Sequence, residues 1–518
     1  MNKLKKRNVG FRVLIVLLIL FPGLILPANA ESAKRDVRES MVKIFVVQNR
    51  PDYTNPWNMF GSSSSSGSGC VISGNRILTN AHVISDQTYI QVRLFGHSKK
   101  YEAEVVAVSH EVDLALLTVR DSSFFKGVVP LEIGGLPQTQ QDVVVYGFPQ
   151  GGDTLSTTKG VVSRIEHQVY SHSLMGFLAV QIDAAINLGS SGGPVLIDDK
   201  VVGVAMQYIG TAENIGYMVP APVIDHFLDD LKDGRYDGFP EDGIYCQSME
   251  NEGIRARYKM SRDQSGCLVY RVVPGSPAEG RISKGDVIMS IDGHRVASDG
   301  TVEFRPKERT NLNYYTQDHQ VGDEMVVGVL RDGKKLEVRL KLDMPSGSNQ
   351  LVPPEQFDVR PTYYIFGGLI FSPLTVNYLK TWGATWYNSA PKNLIARYYF
   401  DQLEQKGEEV VNLVRVLPAE VNRGYHESGD FRIIKVNDRK INNLKDLIRI
   451  LEEDKNEPFV TFSDRWGSAI VLDRKKAEAE HEKILKRYKI PADRSDDLLK
   501  KKDATSERMS ETAYKSEE

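Results

Sequence analysis

Short apolar runs of four to seven residues recur from Val42 to about Pro220. VKIFVV, CVIS, YIQVRLF, EAEVVAV, LALLTV, DVVVYGF, GFLAVQI, PVLI, KVVGVAM and IGYMV are separated by Gly, Pro, Asn and Asp. Many strands at short spacing predict an all-β sandwich or barrel. The period changes at Pro222–Leu231. Pro stands at the start, Val223, Phe227 and Leu231 share a face, and Gly234 lies beyond the end, which together predict a helix. Gly61–Gly69 (GSSSSSGSG) offers no apolar surface and reads as a flexible loop.

A second unit spans about Asp242 to Asp343. Its strand CLVYRVV is followed by Pro274-Gly275-Ser276-Pro277, where Ser276 is placed to cap a short helix. DVIMSI then turns at Asp292-Gly293, and EMVVGVL and KLEVRLKL form a hairpin around Asp332-Gly333, a dipeptide suited to type I′ turns. The unit repeats. Arg271-Val272-Val273-Pro274 returns as Arg415-Val416-Leu417-Pro418, and Gly285-Asp286 as Gly429-Asp430, both at an offset of 144. Two ordered matches at one offset predict two copies of one fold. A Pro- and Ser-bearing linker, Met344 to Pro354, lies between them.

The chain ends have their own grammar. Lys3, Lys5, Lys6, Arg7 and Arg12 precede the apolar run Val13–Leu20, and Ala28-Asn29-Ala30 supplies small residues before Glu31. This predicts a secretory signal peptide over 1–30, with an uncleaved N-terminal anchor as the alternative. From Arg474 onward the sequence is charged with both signs and poor in apolar residues, so 476–518 reads as a charged, partly disordered tail.

Composition narrows the classes. The chain has 518 residues, 41% hydrophobic and 26% charged, enough for three or four domains. A net charge of −3 gives no footprint of a nucleic-acid binder. Cys70, Cys246 and Cys267 are too few for a disulfide scaffold, and no CxxC or CxxH pair suggests structural zinc. No metal or other cofactor is expected.

Three short signatures carry chemistry. Thr79-Asn80-Ala81-His82 ends a strand, Asp113 opens DLALL, and Ser191 sits in GSSGGP. Each is weak alone, but their order and spacing fit a nucleophile that needs a base and an orienting carboxylate. His82 would take the Ser191 proton and Asp113 would hold the imidazole. The glycines let backbone N–H groups converge on a developing oxyanion, with Gly189 and Ser191 as donors on the serine-protease template. The α/β-hydrolase order, Ser before Asp before His, is the reverse of this one.

TNAHV, DLALL, AINLGSSGGPV and NIGYMVP resemble the trypsin-like HtrA/Deg serine proteases. SDGTVEFR, ERTNLNYY and YYIFGGLIFSPLT are similar to the plant-type Deg proteases with two PDZ domains. The family usually has Asn where this chain has Ser190. The resemblance implies a mainly β chain. A trypsin-like double β-barrel over 31–240 would precede two α+β PDZ domains, at 241–345 and, with its linker, at 346–475. It also implies an S1 pocket lined by Ile186, Leu188 and Tyr217. With no buried charge there, small or medium aliphatic P1 residues are expected. Ser265, Gly266, Cys267 and Leu268 are the candidate carboxylate loop of the first PDZ. In the second, Glu409-Val410-Val411-Asn412 replaces it, with a carboxylate beside the nest, so free C-termini are not expected to bind there. His167 and His172 read as surface or loop residues. The implied activity is ATP-independent endoproteolysis of unfolded or damaged proteins by an exported, most simply periplasmic, trimer or hexamer. Its partners are such proteins and C-terminal peptides, with no nucleic acid, and with membrane contact only through an uncleaved signal. The alternative is a PDZ-based holdase or scaffold with little proteolytic activity.

Overall fold

The computed structural model describes residues 36–187, 189–208 and 215–499. The signal-peptide reading, Leu188 and the end of the chain from residue 500 lie outside them.

The first sheet has seven strands. They lie in the order Tyr101–Glu102, Gln87–Leu94, Met41–Pro51, Met59–Ile72, Arg76–Thr79, Leu114–Thr118 and Glu104–Ser109. Its inward face buries Val42, Ile44, Val46, Ile77, Val92 and Leu117 among other aliphatics. Six strands then close a barrel: Gly176–Ile182, Gly216–Pro220, Lys200–Tyr208, Pro194–Ile197, Asp142–Gly147 and Ser156–Val169. Closure removes the exposed edges that a short-stranded sheet would otherwise carry. The helix Ala221–Asp230 follows, burying Val223, Ile224 and Phe227, and Gly234 ends the segment at φ +89°.

One expectation fails in an informative way. The Gly-Ser run is not a loop but the middle of the strand Met59–Ile72, paired with Met41–Pro51 through Ile44↔Gly67 and Val42↔Gly69. Here the partner strand and its apolar face override local composition. The small residues are needed for close approach. A Cβ on Gly67 would lie 2.5 Å from Val83 Cγ1, and one on Gly69 2.8 Å from Leu78 O.

Both repeat units form sheets. An offset of 144 carries the strand Cys267–Val272 onto Val411–Val416. The Asp292-Gly293 and Asp332-Gly333 turns have positive φ at both residues, as type I′ turns require. The stretch after Pro274 departs from expectation. It is a series of turns rather than a helix, and Ser276 Oγ is buried without a hydrogen-bond partner. The charged C-terminal stretch is also more ordered than its composition suggests. Arg474–Arg487 is a helix that buries Ala477, Ile484 and Leu485 against the second unit. Among the described residues no helix is long and apolar enough to cross a membrane.

Candidate active site

Strand pairing brings His82 and Asp113 together. Arg76–Thr79 pairs with Leu114–Thr118 in the register Thr79↔Ala115, so the residues just beyond these strand ends meet. Asn80 precedes the one-turn helix Ala81–Ile84 that carries His82, and Asn80 Nδ2 donates to Asp113 O at 2.8 Å. Asp113 has φ +61°, a left-handed conformation that Asp tolerates better than most residues. Its buried carboxylate accepts His82 N–H at 2.9 Å and lies 2.7 Å from His82 Nδ1. The Tyr170 hydroxyl is 3.5 Å from the same nitrogen.

This anchoring sets the imidazole's proton affinity. Burial opposes charging His82, but the Asp113 charge and hydrogen bond more than offset it, so protonation occurs above the usual 6.5. A base must be neutral to accept a proton. We therefore expect kcat/KM to fall on acidification with an apparent pKa above 6.5, measured on a peptide substrate. An acid limb centred below that value would contradict the His82–Asp113 coupling.

Ser191 comes from the turn that leads into the barrel strand Pro194–Ile197. Its carbonyl accepts Ser68 N–H at 2.9 Å. Gly192 beside it packs against the end of the His82 strand, where a Cβ would lie 2.3 Å from Thr79 Oγ1. Gly189 has φ +92°, and a Cβ there would lie 2.6 Å from Gln150 N and 2.7 Å from Phe148 O. Gly193 admits no Cβ either, with Tyr146 O at 2.0 Å from that position. Among the described residues, the N–H groups of Gly189 and Ser191 donate to no protein acceptor. No hydrogen bond joins Ser191 Oγ to His82, a bond that in substrate-free enzymes is often long and tightens with substrate.

His172 is the neighbour the sequence did not flag. Its ring stacks on His82 with centroids 5.8 Å apart and planes 4° apart, and it also contacts Tyr170. Burial first, and then the neighbouring His82, hold its pKa below the ordinary value. It is therefore no free surface histidine. His167 is also half-buried, with Nε2 lacking a partner.

Of the expected pocket residues, Ile186 is buried beside Gly216, where a Cβ would lie 2.6 Å from Ile186 Cδ1. Tyr217 does not line the same space. Its hydroxyl donates to Glu166 at 2.9 Å and accepts from Arg164 at 3.2 Å, on the opposite face of the strand Gly216–Pro220. Met218, the next residue along, shares the apolar cluster of Ile186 instead. No metal-binding group of three or more His, Cys, Asp or Glu side chains is present among the described residues.

The expected carboxylate loop of the first repeat unit is misplaced. Cys267 and Leu268 belong to a strand paired on both sides, through Leu268↔Gln247 and Cys267↔Ile288, so no peptide can add there. Gly266 backs onto Ile288 O, and Ser265 Oγ donates to Val296 O. Ile244–Gln247 is one edge of that sheet, and Lys334–Lys341 is the other. The former lines a groove of about 480 Å³ whose other walls include Thr316, Ser173–Gly176 and Pro354–Gln356.

In the second unit the equivalent edge is filled. Ile244 pairs with Val272, and Val416, 144 residues after Val272, pairs with Leu369. The outer side of Leu369–Pro373 is taken by the chain's own strand Tyr364–Phe366. That strand is backed in turn by Asp493 O, which accepts Ile365 N–H at 2.7 Å. Glu409, the expected carboxylate beside a nest, instead accepts the Leu444 N–H that opens the helix Leu444–Glu453.

Parts of the chain resemble known protein domains. Residues 67–204 match a trypsin-like peptidase domain, and residues 253–342 and 352–497 each match a PDZ domain. The putative protease Do-like 3, mitochondrial, of Arabidopsis thaliana is 39% identical over 92% of this chain and 85% of its own length. The protease Do-like 2, chloroplastic, of the same plant is 37% identical over 89% of this chain and 75% of its own. Among solved structures, an HtrA-type protease AlgW with decapeptide aligns at 21% identity and a TM-score of 0.45, covering 59% of this chain and 95% of that one.

Proposed function

Because the chain belongs to the HtrA/Deg family of serine endopeptidases, we propose that it degrades unfolded or damaged proteins without ATP, through an acyl-enzyme on Ser191. The observation that carries this reading is the anchored His82–Asp113 pair beside a glycine turn with two unused N–H donors. Ser191 Oγ attacks the scissile carbonyl while His82 Nε2 takes its proton. The oxyanion rests on the N–H groups of Gly189 and Ser191. The C–N bond then breaks, the amine leaves with the proton from His82, and water releases the acyl group by the same steps. An apolar S1 wall at Ile186 favours small or medium aliphatic P1 residues. Incubation with unfolded casein, without nucleotide, tests the activity. Intact casein with its aggregation suppressed would overturn it in favour of a holdase.

The first PDZ domain takes an extended peptide on the edge Ile244–Gln247, by strand addition. The second does not, because its own strand fills that place. The Ser173–Gly176 wall of the groove adjoins His172, so peptide occupancy reaches the loop stacked on His82. A C-terminal peptide is expected to protect the amides of 244–247 in hydrogen exchange. Protection at 265–268 instead, or in the second domain, would contradict this.

The relatives named above are mitochondrial and chloroplastic. With the basic and apolar leader, this supports an organellar or exported protein, the periplasm being the narrower form. Trimeric or hexameric assembly completes the reading. A monomer at all concentrations in light scattering would remove that part.

A further inference from the structure

The last serine of the Ser-rich run, inside the strand Met59–Ile72, holds the nucleophile turn. Ser68 is 1% exposed. Its hydroxyl donates to Gly189 O at 2.8 Å and accepts Phe148 N–H at 2.8 Å. Its own N–H donates to Ser191 O at 2.9 Å. Its carbonyl accepts the Thr79 hydroxyl at 2.7 Å, on the strand that leads to His82.

These contacts bracket one peptide group. The N–H of Ser191 belongs to the Ser190–Ser191 peptide, and the carbonyls on either side of it, Gly189 O and Ser191 O, are both held by Ser68. The same hydroxyl fixes Phe148, whose carbonyl, with Gln150 N, forms the wall against Gly189. A buried hydroxyl that both donates and accepts is costly to remove, because two backbone groups lose their partner together.

We propose that Ser68 is a positioning residue for the reaction, holding the Gly189–Ser191 turn so that its two N–H groups converge before substrate arrives. The proposal rests on the reading of Ser191 as nucleophile. Ser68 makes its hydrogen bonds to Gly189, Phe148, Ser191 and Thr79 and none to His82 or Asp113, so its effect is expected in the transition state. Losing one oxyanion donor costs about 10²–10³ in rate, and a misplacement of about 1 Å costs about 10².

Steady-state kinetics of full-length Ser68→Ala on a peptide substrate test it. The expected result is a kcat about 10–100-fold lower with KM within about twofold and the acid limb unmoved. A peptide aldehyde, which forms a tetrahedral adduct, should bind more weakly by a similar factor. Ser68→Thr should recover most of the rate. Ser68→Cys fills the space with a weak hydrogen-bonding group and carries the test if Ser68→Ala does not fold. Wild-type kcat in either folded variant, or a loss confined to KM, overturns the proposal. Ser191→Ala separates the two readings. If it stays active, the nucleophile assignment falls. If it is inactive while the Ser68 variants keep full kcat, only the role of Ser68 falls.

Discussion

Ser191→Ala is expected to lower kcat on unfolded casein by about 10⁶-fold, with the melting temperature unchanged. The size follows from how triad members act. They work as a unit, and the residual rate, about 10³–10⁴ over water, comes from the oxyanion donors and from binding. The substitution deletes only Oγ. Ser191 O still accepts Ser68 N–H, and the glycine contacts around the turn are untouched. The variant should therefore bind substrate as tightly as the native protein and leave it intact. Fragments appearing at more than about a thousandth of the native rate would place the nucleophile elsewhere.

Asp113→Asn should cost about 10⁴-fold in kcat with KM little changed. The argument is one of tautomers. Asp113 is buried and accepts both His82 N–H and the proton on Nδ1. An Asn of the same shape keeps the first bond through its oxygen but turns its amide N–H₂ toward Nδ1. The ring must then accept at Nδ1 and carry its proton on Nε2, where it cannot take the proton of Ser191. The bond from Asn80 to the Asp113 carbonyl survives, so the local fold persists. Loss of the carboxylate also removes what keeps the His82 pKa raised, so the remaining activity should have its acid limb shifted down. A kcat within tenfold of native, or an unshifted limb, would contradict the assigned role of Asp113.

What could be read from sequence was what short-range chemistry dictates. His82 and Asp113 follow and precede strands whose apolar runs are unambiguous, and their turn residues suit the sharp backbone there. The repeat was visible because an offset of 144 preserves both the strand and the turn after it. The Gly-Ser run misled because its order comes from a partner strand, which composition does not encode. Tyr217 was a different kind of miss. Alternation along Gly216–Pro220 already put it opposite Met218, which shares the cluster of Ile186. The carboxylate loop was misassigned because a strand's free edge depends on what pairs with it. Nothing in the sequence flagged His172, a loop residue whose position is set by the barrel closing beneath it.

The site is split between two halves of the protease domain. His82 and Asp113 stand on the first sheet, Ser191 on the turn into the barrel, and Ser68 crosses between them. In kinetic terms these are non-local contacts, made only after loops of many residues have closed. A chain emerging from the ribosome N-terminus first has its base and carboxylate before it has its nucleophile. Even after the barrel forms, the contacts of Ser68 with the turn are made only when the two halves dock. Proteolytic competence thus waits on the docking of the two halves, and until then topology spares the nascent chain its own activity.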